Sequence, residues 1–96
     1  DMMTKCAALD LAADGIRVNS INPGVVRSEL QKTGGLSNEA YAAFLERSKL
    51  THPLGRIGEP EEAAELIAFL ADNSKAGFVT GAILPMDGGR ACLGAR

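Results

Sequence analysis

Few side chains in this 96-residue chain are of the kinds that carry out chemistry, and their neighbours decide what each is fit for. His52 stands alone, with no second His or Cys at metal-ligand spacing, so no metal site is expected. General acid or base work by its imidazole needs a partner that the sequence does not supply, and His52 is read as a loop residue. Cys6 and Cys92 lie near opposite ends, without the dense pattern of a disulfide-stapled scaffold, and are expected to be reduced thiols. Thr33-Gly34-Gly35 does not directly follow a strand-like run, so it lacks the context of a loop that cradles a pyrophosphate. Arg56 with Glu59, Glu61 and Glu62 reads as local electrostatics, the acids facing the positive end of a helix dipole. Asn22-Pro23-Gly24 is the most informative group. It ends a strand-like run, the place where open α/β sheets bind ligands, and Gly24 would let the backbone approach a flat ring. The same residues also make a plain strand-ending turn, because Pro lacks a donor and Gly permits unusual φ; by spacing alone the plain turn is the better reading.

These groups hang on a simple series of elements. Over residues 1–14, Met2, Cys6, Leu9 and Ala13 recur with helical period, and Gly15 follows where a helix C-terminus favours positive φ. No capping residue introduces this helix, so the sequence is expected to begin inside one. Residues 16–21 alternate as a strand. Ser37 can cap a helix running through Leu50, with Ala40, Tyr41, Phe44 and Leu45 as its apolar stripe. Glu59-Pro60-Glu61-Glu62 starts another helix, with Ala63, Leu66, Ile67 and Leu70 inward and its end near Asp72-Asn73-Ser74. Residues 78–84 form a second apolar strand, and Asp87-Gly88-Gly89 turns the chain away. Two such strands joined through helices imply a parallel pair with a right-handed crossover, and parallel strands belong to larger sheets covered on both faces. The expected fold class is therefore α/β, as the C-terminal part of a doubly wound parallel sheet: the last two strands with their flanking helices.

Composition narrows the partners. Hydrophobic residues at 46% and charged residues at 23% are those of a globular chain. A net charge of −2 offers no basic surplus for nucleic acid. No apolar run reaches the ~18 residues of a membrane span. The start, Asp1-Met2-Met3-Thr4-Lys5, lacks the apolar core of a signal peptide, which points to the cytoplasm.

Four segments, in this order and at these separations, resemble the short-chain dehydrogenase/reductase family over almost the whole chain. They are Gly15-Ile16-Arg17-Val18-Asn19-Ser20-Ile21-Asn22-Pro23-Gly24; Pro53-Leu54-Gly55-Arg56 with Gly58-Glu59-Pro60-Glu61-Glu62; Val79-Thr80-Gly81; and Asp87-Gly88-Gly89. The likeness is nearest to the simple tetrameric reductases, such as 3-oxoacyl-carrier-protein reductases and related dehydrogenases. It implies a Rossmann-type fold and hydride transfer between NAD or NADP and a small-molecule carbonyl or alcohol, in a parent that is a homo-oligomer, dimer or tetramer. Residues 1–14 would then be the end of an interface helix, 16–30 a strand and cofactor turn, 31–52 a substrate lid, and 53–96 the last helix, last strand and tail.

On that resemblance Asn22, Pro23 and Gly24 lie against the nicotinamide, and the backbone of Val26 contacts its carboxamide. Ser28 stands where the family usually has a Thr that bonds the cofactor; the alternative is a Ser that starts a helical turn. Leu30, Leu36, Tyr41 and Phe44 would face the substrate from the lid, or belong to a helix packed permanently on the sheet. The family's catalytic Ser, Tyr and Lys are expected upstream of Asp1. Tyr41 is followed by Leu45 at the fourth position, so it does not supply Tyr-x-x-x-Lys. The chain is thus expected to be a fragment of an NAD(P)-dependent oxidoreductase. The alternative is a truncated pseudoenzyme that pairs with full-length subunits without catalysis.

Overall fold

A computed structural model of the chain describes residues 1–27 and 37–93. Ser28, Leu30, Leu36 and the Thr33-Gly34-Gly35 joint lie outside the described residues. The elements run α1 (Met2–Leu11), a 3-10 turn (Ala12–Asp14), β1 (Ser20–Pro23), α2 (Asn38–Thr51), α3 (Pro60–Ala71), α4 (Asn73–Ala76), β2 (Ile83–Met86) and a 3-10 turn (Arg90–Leu93). The fold is α/β. β1 and β2 pair in a two-stranded sheet. Gly81 N–H donates to Val18 O, Ser20 N–H to Ala82 O and Gly24 N–H to Met86 O. Both members of each pair advance together, so the strands are parallel, as the helical connection between them demands.

The chain divides into two compact units, one of Asp1–Asn22 with Ala64–Leu84 and the other of Pro23–Ala63 with Pro85–Arg96. In the first unit the strands begin later than the apolar runs do. Residues 16–19 run beside 79–82, but side chains take over the ladder. Val18 N–H donates to Thr80 Oγ1 at 3.1 Å, Asn19 Nδ2 donates to Val79 O at 3.0 Å, and Ala82 N–H donates to Asn19 Oδ1 at 3.0 Å. An amide side chain that both donates and accepts replaces two backbone partners, so regular pairing starts only at Ser20. Arg17 adds bonds to Asn73 Oδ1 at 2.7 and 3.0 Å and to Val79 O at 3.1 Å.

α1 presents a different face from the one its apolar period suggests. Ala8 is buried at 4% exposure, whereas Met2 and Leu9 are 71% and 80% exposed and Cys6 is exposed too. Size decides this. A Cβ placed on Gly81 would lie 3.6 Å from Ala8 Cβ, so only a small helical residue fits against that turn. Gly15 ends the segment at φ 72°, its N–H donating to Ala12 O at 3.0 Å. In α3 Leu70 is buried but Ile67 remains 53% exposed. Asp72 then caps the short α4, accepting from Ser74 N–H at 2.9 Å and Ser74 Oγ at 2.6 Å. These bonds, the side-chain one first, lower the Asp72 pKa.

The second unit holds α2 and the start of α3. Ser37 Oγ accepts from Ala40 N–H at 3.1 Å, an N-cap that fixes where α2 begins. Ala40, Tyr41, Phe44 and Leu45 are half-buried and Ser48 is buried, one continuous face. Pro60 opens α3, and Glu62 Oε1 accepts from Glu59 N–H at 3.0 Å, the returning half of a capping box. Arg56 grips the same carboxylate through two bonds of 2.7 and 2.8 Å. Its hydrogen bonds, with that from Glu59, hold the Glu62 pKa down at about 2. Asp87 accepts from Gly89 and Ala91 N–H, both at 3.0 Å, which turns the chain after β2.

Candidate nicotinamide turn

Residues 23–27 leave the sheet as a short run held on several sides. Gly24 N–H donates to Met86 O at 3.0 Å. Val25 N–H donates to His52 Nε2 at 3.1 Å. Gly58 N–H donates to Val25 O and Arg27 N–H donates to Gly58 O, both at 2.9 Å, forming a parallel bridge between Val26 and Gly58. In such a bridge the residues flanking Val26 take both bonds of Gly58, so the polar groups of Val26 itself face the other way. Among the described residues, Val26 is the one member of 24–27 whose N–H has no protein acceptor. Buried or half-buried amides are normally paired, so the half-buried Val26 N–H is left, among the described residues, to water or a ligand.

Val26 borders an open cleft of about 590 Å³ lined by residues 23–27 with Phe44, Pro60 and Ala63. Its walls are apolar, with a few backbone polar groups among them, the composition of a small-molecule site. Pro23, Gly24, Val26 and Phe44 therefore meet here. Tyr41 is linked to the same run through Arg27, on which it has a minor hydrogen-bonding influence. Asn22 belongs to the other unit, where its Nδ2 donates to Asp1 Oδ1 at 3.5 Å.

Arg27 stands at the edge of the cleft with its Nε 3.0 and 3.2 Å from the two Glu59 carboxylate oxygens. The hydrogen bond to Glu59, then its charge, raises the Arg27 pKa. Both side chains are about half exposed, so the pair orients more than it stabilises.

Gly24 also answers a constraint from within the protein. Its φ is not in the left-handed region. A Cβ there would stand 2.7 Å from His52 Nε2 and 3.0 Å from Asp87 Cβ, so the protein itself fills the space. His52 lies in the bend just after α2, as a loop residue, but is buried there. It caps the C-terminus of α2 and is only 2% exposed. Sequence reasoning misses it because its partner, Val25, is 27 positions away. Gly58 and Pro60 are visible in the sequence only as helix punctuation. Among the described residues no cluster of His, Cys, Asp or Glu is arranged to hold a metal ion, and no helix is long and apolar enough to cross a membrane.

A family model described as enoyl-(acyl carrier protein) reductase matches residues 1–91. Cis-4-hydroxycyclohexanecarboxylate dehydrogenase of Sinomonas cyclohexanicum is 46% identical over 87 residues, covering 91% of this chain and 32% of that protein. L-xylulose reductase of Mus musculus is 40% identical over 89 residues, covering 93% of this chain and 34% of that protein. The chain thus spans about a third of the length of the curated relatives it matches. Among solved structures, a short-chain dehydrogenase/reductase of Caenorhabditis elegans crystallised with cofactor superposes with a TM-score of 0.85 at 34% identity, over 95% of this chain and 35% of that one. The same likeness holds in sequence and in the path of the backbone, and on both grounds the chain belongs to the short-chain dehydrogenase/reductase family.

Proposed function

We propose that this chain supplies the nicotinamide-side wall of an NAD(P)-dependent oxidoreductase that acts on a small-molecule carbonyl or alcohol. The observation that carries the reading is the Val26 amide, flanked by bonded neighbours and with no acceptor among the described residues, on an apolar cleft. A flat, weakly polar ring with one carboxamide suits that pairing of surfaces. Pro23 and the backbone of Gly24 would lie along the ring, Val26 would meet the carboxamide, and Ser28 would add a hydroxyl to the cofactor. When bound, the nicotinamide supplies or accepts the hydride. The residues of this chain orient the ring, and Phe44 with Tyr41, Leu30 and Leu36 on the lid segment would exclude water around the reacting carbon. Proton transfer falls to the Ser, Tyr and Lys that the family resemblance places ahead of Asp1.

A hybrid tests this, with residues 1–91 replacing the aligned segment of the 46%-identical Sinomonas dehydrogenase. The hybrid is expected to bind NADH or NADPH by calorimetry and to retain hydride transfer, while the 96-residue chain alone binds neither. A folded hybrid that binds no dinucleotide, or micromolar binding by the chain alone, contradicts the reading.

A second reading has its own observation. Met2, Met3 and Leu9 on α1 are 71%, 83% and 80% exposed, an apolar strip suited to another subunit. On that reading the chain pairs with full-length subunits without catalysis. Co-expression with an intact relative and recovery of a mixed oligomer distinguishes it, and absence of any mixed oligomer counts against it.

A further inference from the structure

We propose that His52 is a positioning residue for the cofactor: its imidazole pins the 24–25 peptide through Val25 N–H and so supports the 25–26 peptide, which Gly58 N–H holds at Val25 O and which carries the Val26 amide. This rests on the reading of the cleft as the nicotinamide site. The ring is held from both sides. Nδ1 lies 2.6 Å from Ser48 O, which can only accept, so Nδ1 carries the proton. In the neutral ring Nε2 is then an acceptor, and it receives Val25 N–H at 3.1 Å.

Behind the ring the bonds continue along one face of α2. Ser48 Oγ donates to Phe44 O at 2.9 Å, and Thr51 Oγ1 donates to Ser48 O at 3.1 Å. Phe44, Ser48 and His52 are spaced four apart, so the face that brings Phe44 to the cleft also brings His52 to the turn. With Ser48 5% and His52 2% exposed, water cannot replace these partners cheaply. The fit is close: even a methyl group on Gly24 would meet Nε2 at 2.7 Å.

The charged groups nearest this ring are already committed. Asp87 accepts from Gly89 and Ala91 N–H, and Arg56 and Glu62, which line the small cavity beside His52, are paired with each other. None of them offers Val25 an alternative acceptor. If the tether is lost, the part-buried Val25 N–H is left without its protein partner, and the run from Gly24 to Arg27 loses one of its holds.

The test uses the hybrid with His52→Leu and His52→Gln. Leu fills much of the volume without an acceptor, whereas the Gln side-chain oxygen reaches about as far as Nε2. Amide exchange of the peptide covering residues 24–27 is expected to quicken roughly tenfold in H52L and to recover in H52Q. The cofactor KM is expected to rise roughly tenfold in H52L with a smaller change in kcat, and to recover in H52Q. Unchanged exchange in H52L, or a quickened exchange with an unchanged cofactor KM, overturns the positioning role. A third measurement needs no variant: the nitrogen-15 shifts of the His52 ring are expected to show a protonated Nδ1 and a bare Nε2, and the opposite tautomer overturns the tether. If exchange responds to His52 but no dinucleotide binds the parent hybrid, the nicotinamide reading fails and the positioning role fails with it. That result is distinct from failure of the tether.

Discussion

Gly24→Ala isolates the close approach on which the turn depends. The residue has an ordinary φ, so an added methyl group brings no backbone strain of its own. What it meets is His52 Nε2 at 2.7 Å, Asp87 Cβ at 3.0 Å and Asp87 Cα at 3.1 Å. Relief requires a movement of roughly half an ångström or more, and the backbone of Asp87 is fixed by the Gly24 bond to Met86 next to it. The imidazole gives way instead, and its 3.1 Å bond to Val25 N–H is broken. Overpacking costs about 1–3 kcal/mol and a part-buried N–H without a partner about 1–3 kcal/mol, so G24A should lower stability by about 2–6 kcal/mol. Urea denaturation of the hybrid measures this. The partner is identified by a double-mutant cycle: with His52→Ala in the background, the same methyl group should cost at least about 1 kcal/mol less. A G24A hybrid within about 0.5 kcal/mol of its parent, or costs that simply add, would refute the geometry.

Other substitutions test other parts of the account. Gly15 has φ 72° with nothing within 4 Å of a Cβ, so Gly15→Ala should cost about 1–2 kcal/mol from conformation alone, and urea midpoints should show it independent of His52. Ser37→Ala removes the acceptor for Ala40 N–H and should weaken α2 by about 1 kcal/mol, read as faster amide exchange in its first turn. Ala8→Leu should destabilise by about 1–3 kcal/mol against Gly81, while Leu9→Ser should change stability by less than about 0.5 kcal/mol in a monomeric hybrid; the reverse order would restore the apolar-period face of α1. Glu62, held at about 2 against an ordinary 4.5, binds its proton more weakly in the folded state. Its contribution is therefore full above pH 4.5 and is lost as pH falls from there towards 2. Because the side chain is about half exposed the effect is small, and Glu62→Gln should remove it from an acid titration followed by circular dichroism.

Features that rest on near neighbours along the chain are legible in the amino-acid sequence itself. Ser37 capping α2, Pro60 opening α3 and Gly15 closing the first helical segment each follow from the conformational habits of one residue. The parallel pairing of the strands follows from the helices between them. The strand boundaries do not, because Asn19 and Thr80 use side chains in place of the ladder, and apolar alternation is blind to that exchange. The buried face of α1 is hidden for a related reason: the turn at Gly81 selects for smallness at Ala8 rather than for hydrophobicity at Leu9. In the candidate site, Pro23, Gly24, Val26 and Phe44 line one cleft, and their nearness along the chain or at helical spacing makes that grouping legible. Nothing in the residues around His52 announces that it reaches Val25, since that bond depends on how α2 docks.

The central proposal is that the Val26 amide, which has no acceptor among the described residues, bonds a nicotinamide. Residue-resolved amide spectra of the hybrid, recorded with and without NADH and NADPH, address it directly. The cofactor is expected to shift the Val26 amide and slow its exchange, while the amides of Gly24, Val25 and Arg27, already bonded to Met86, His52 and Gly58, change little. A saturating cofactor that leaves Val26 untouched, or that acts on its bonded neighbours instead, would contradict it.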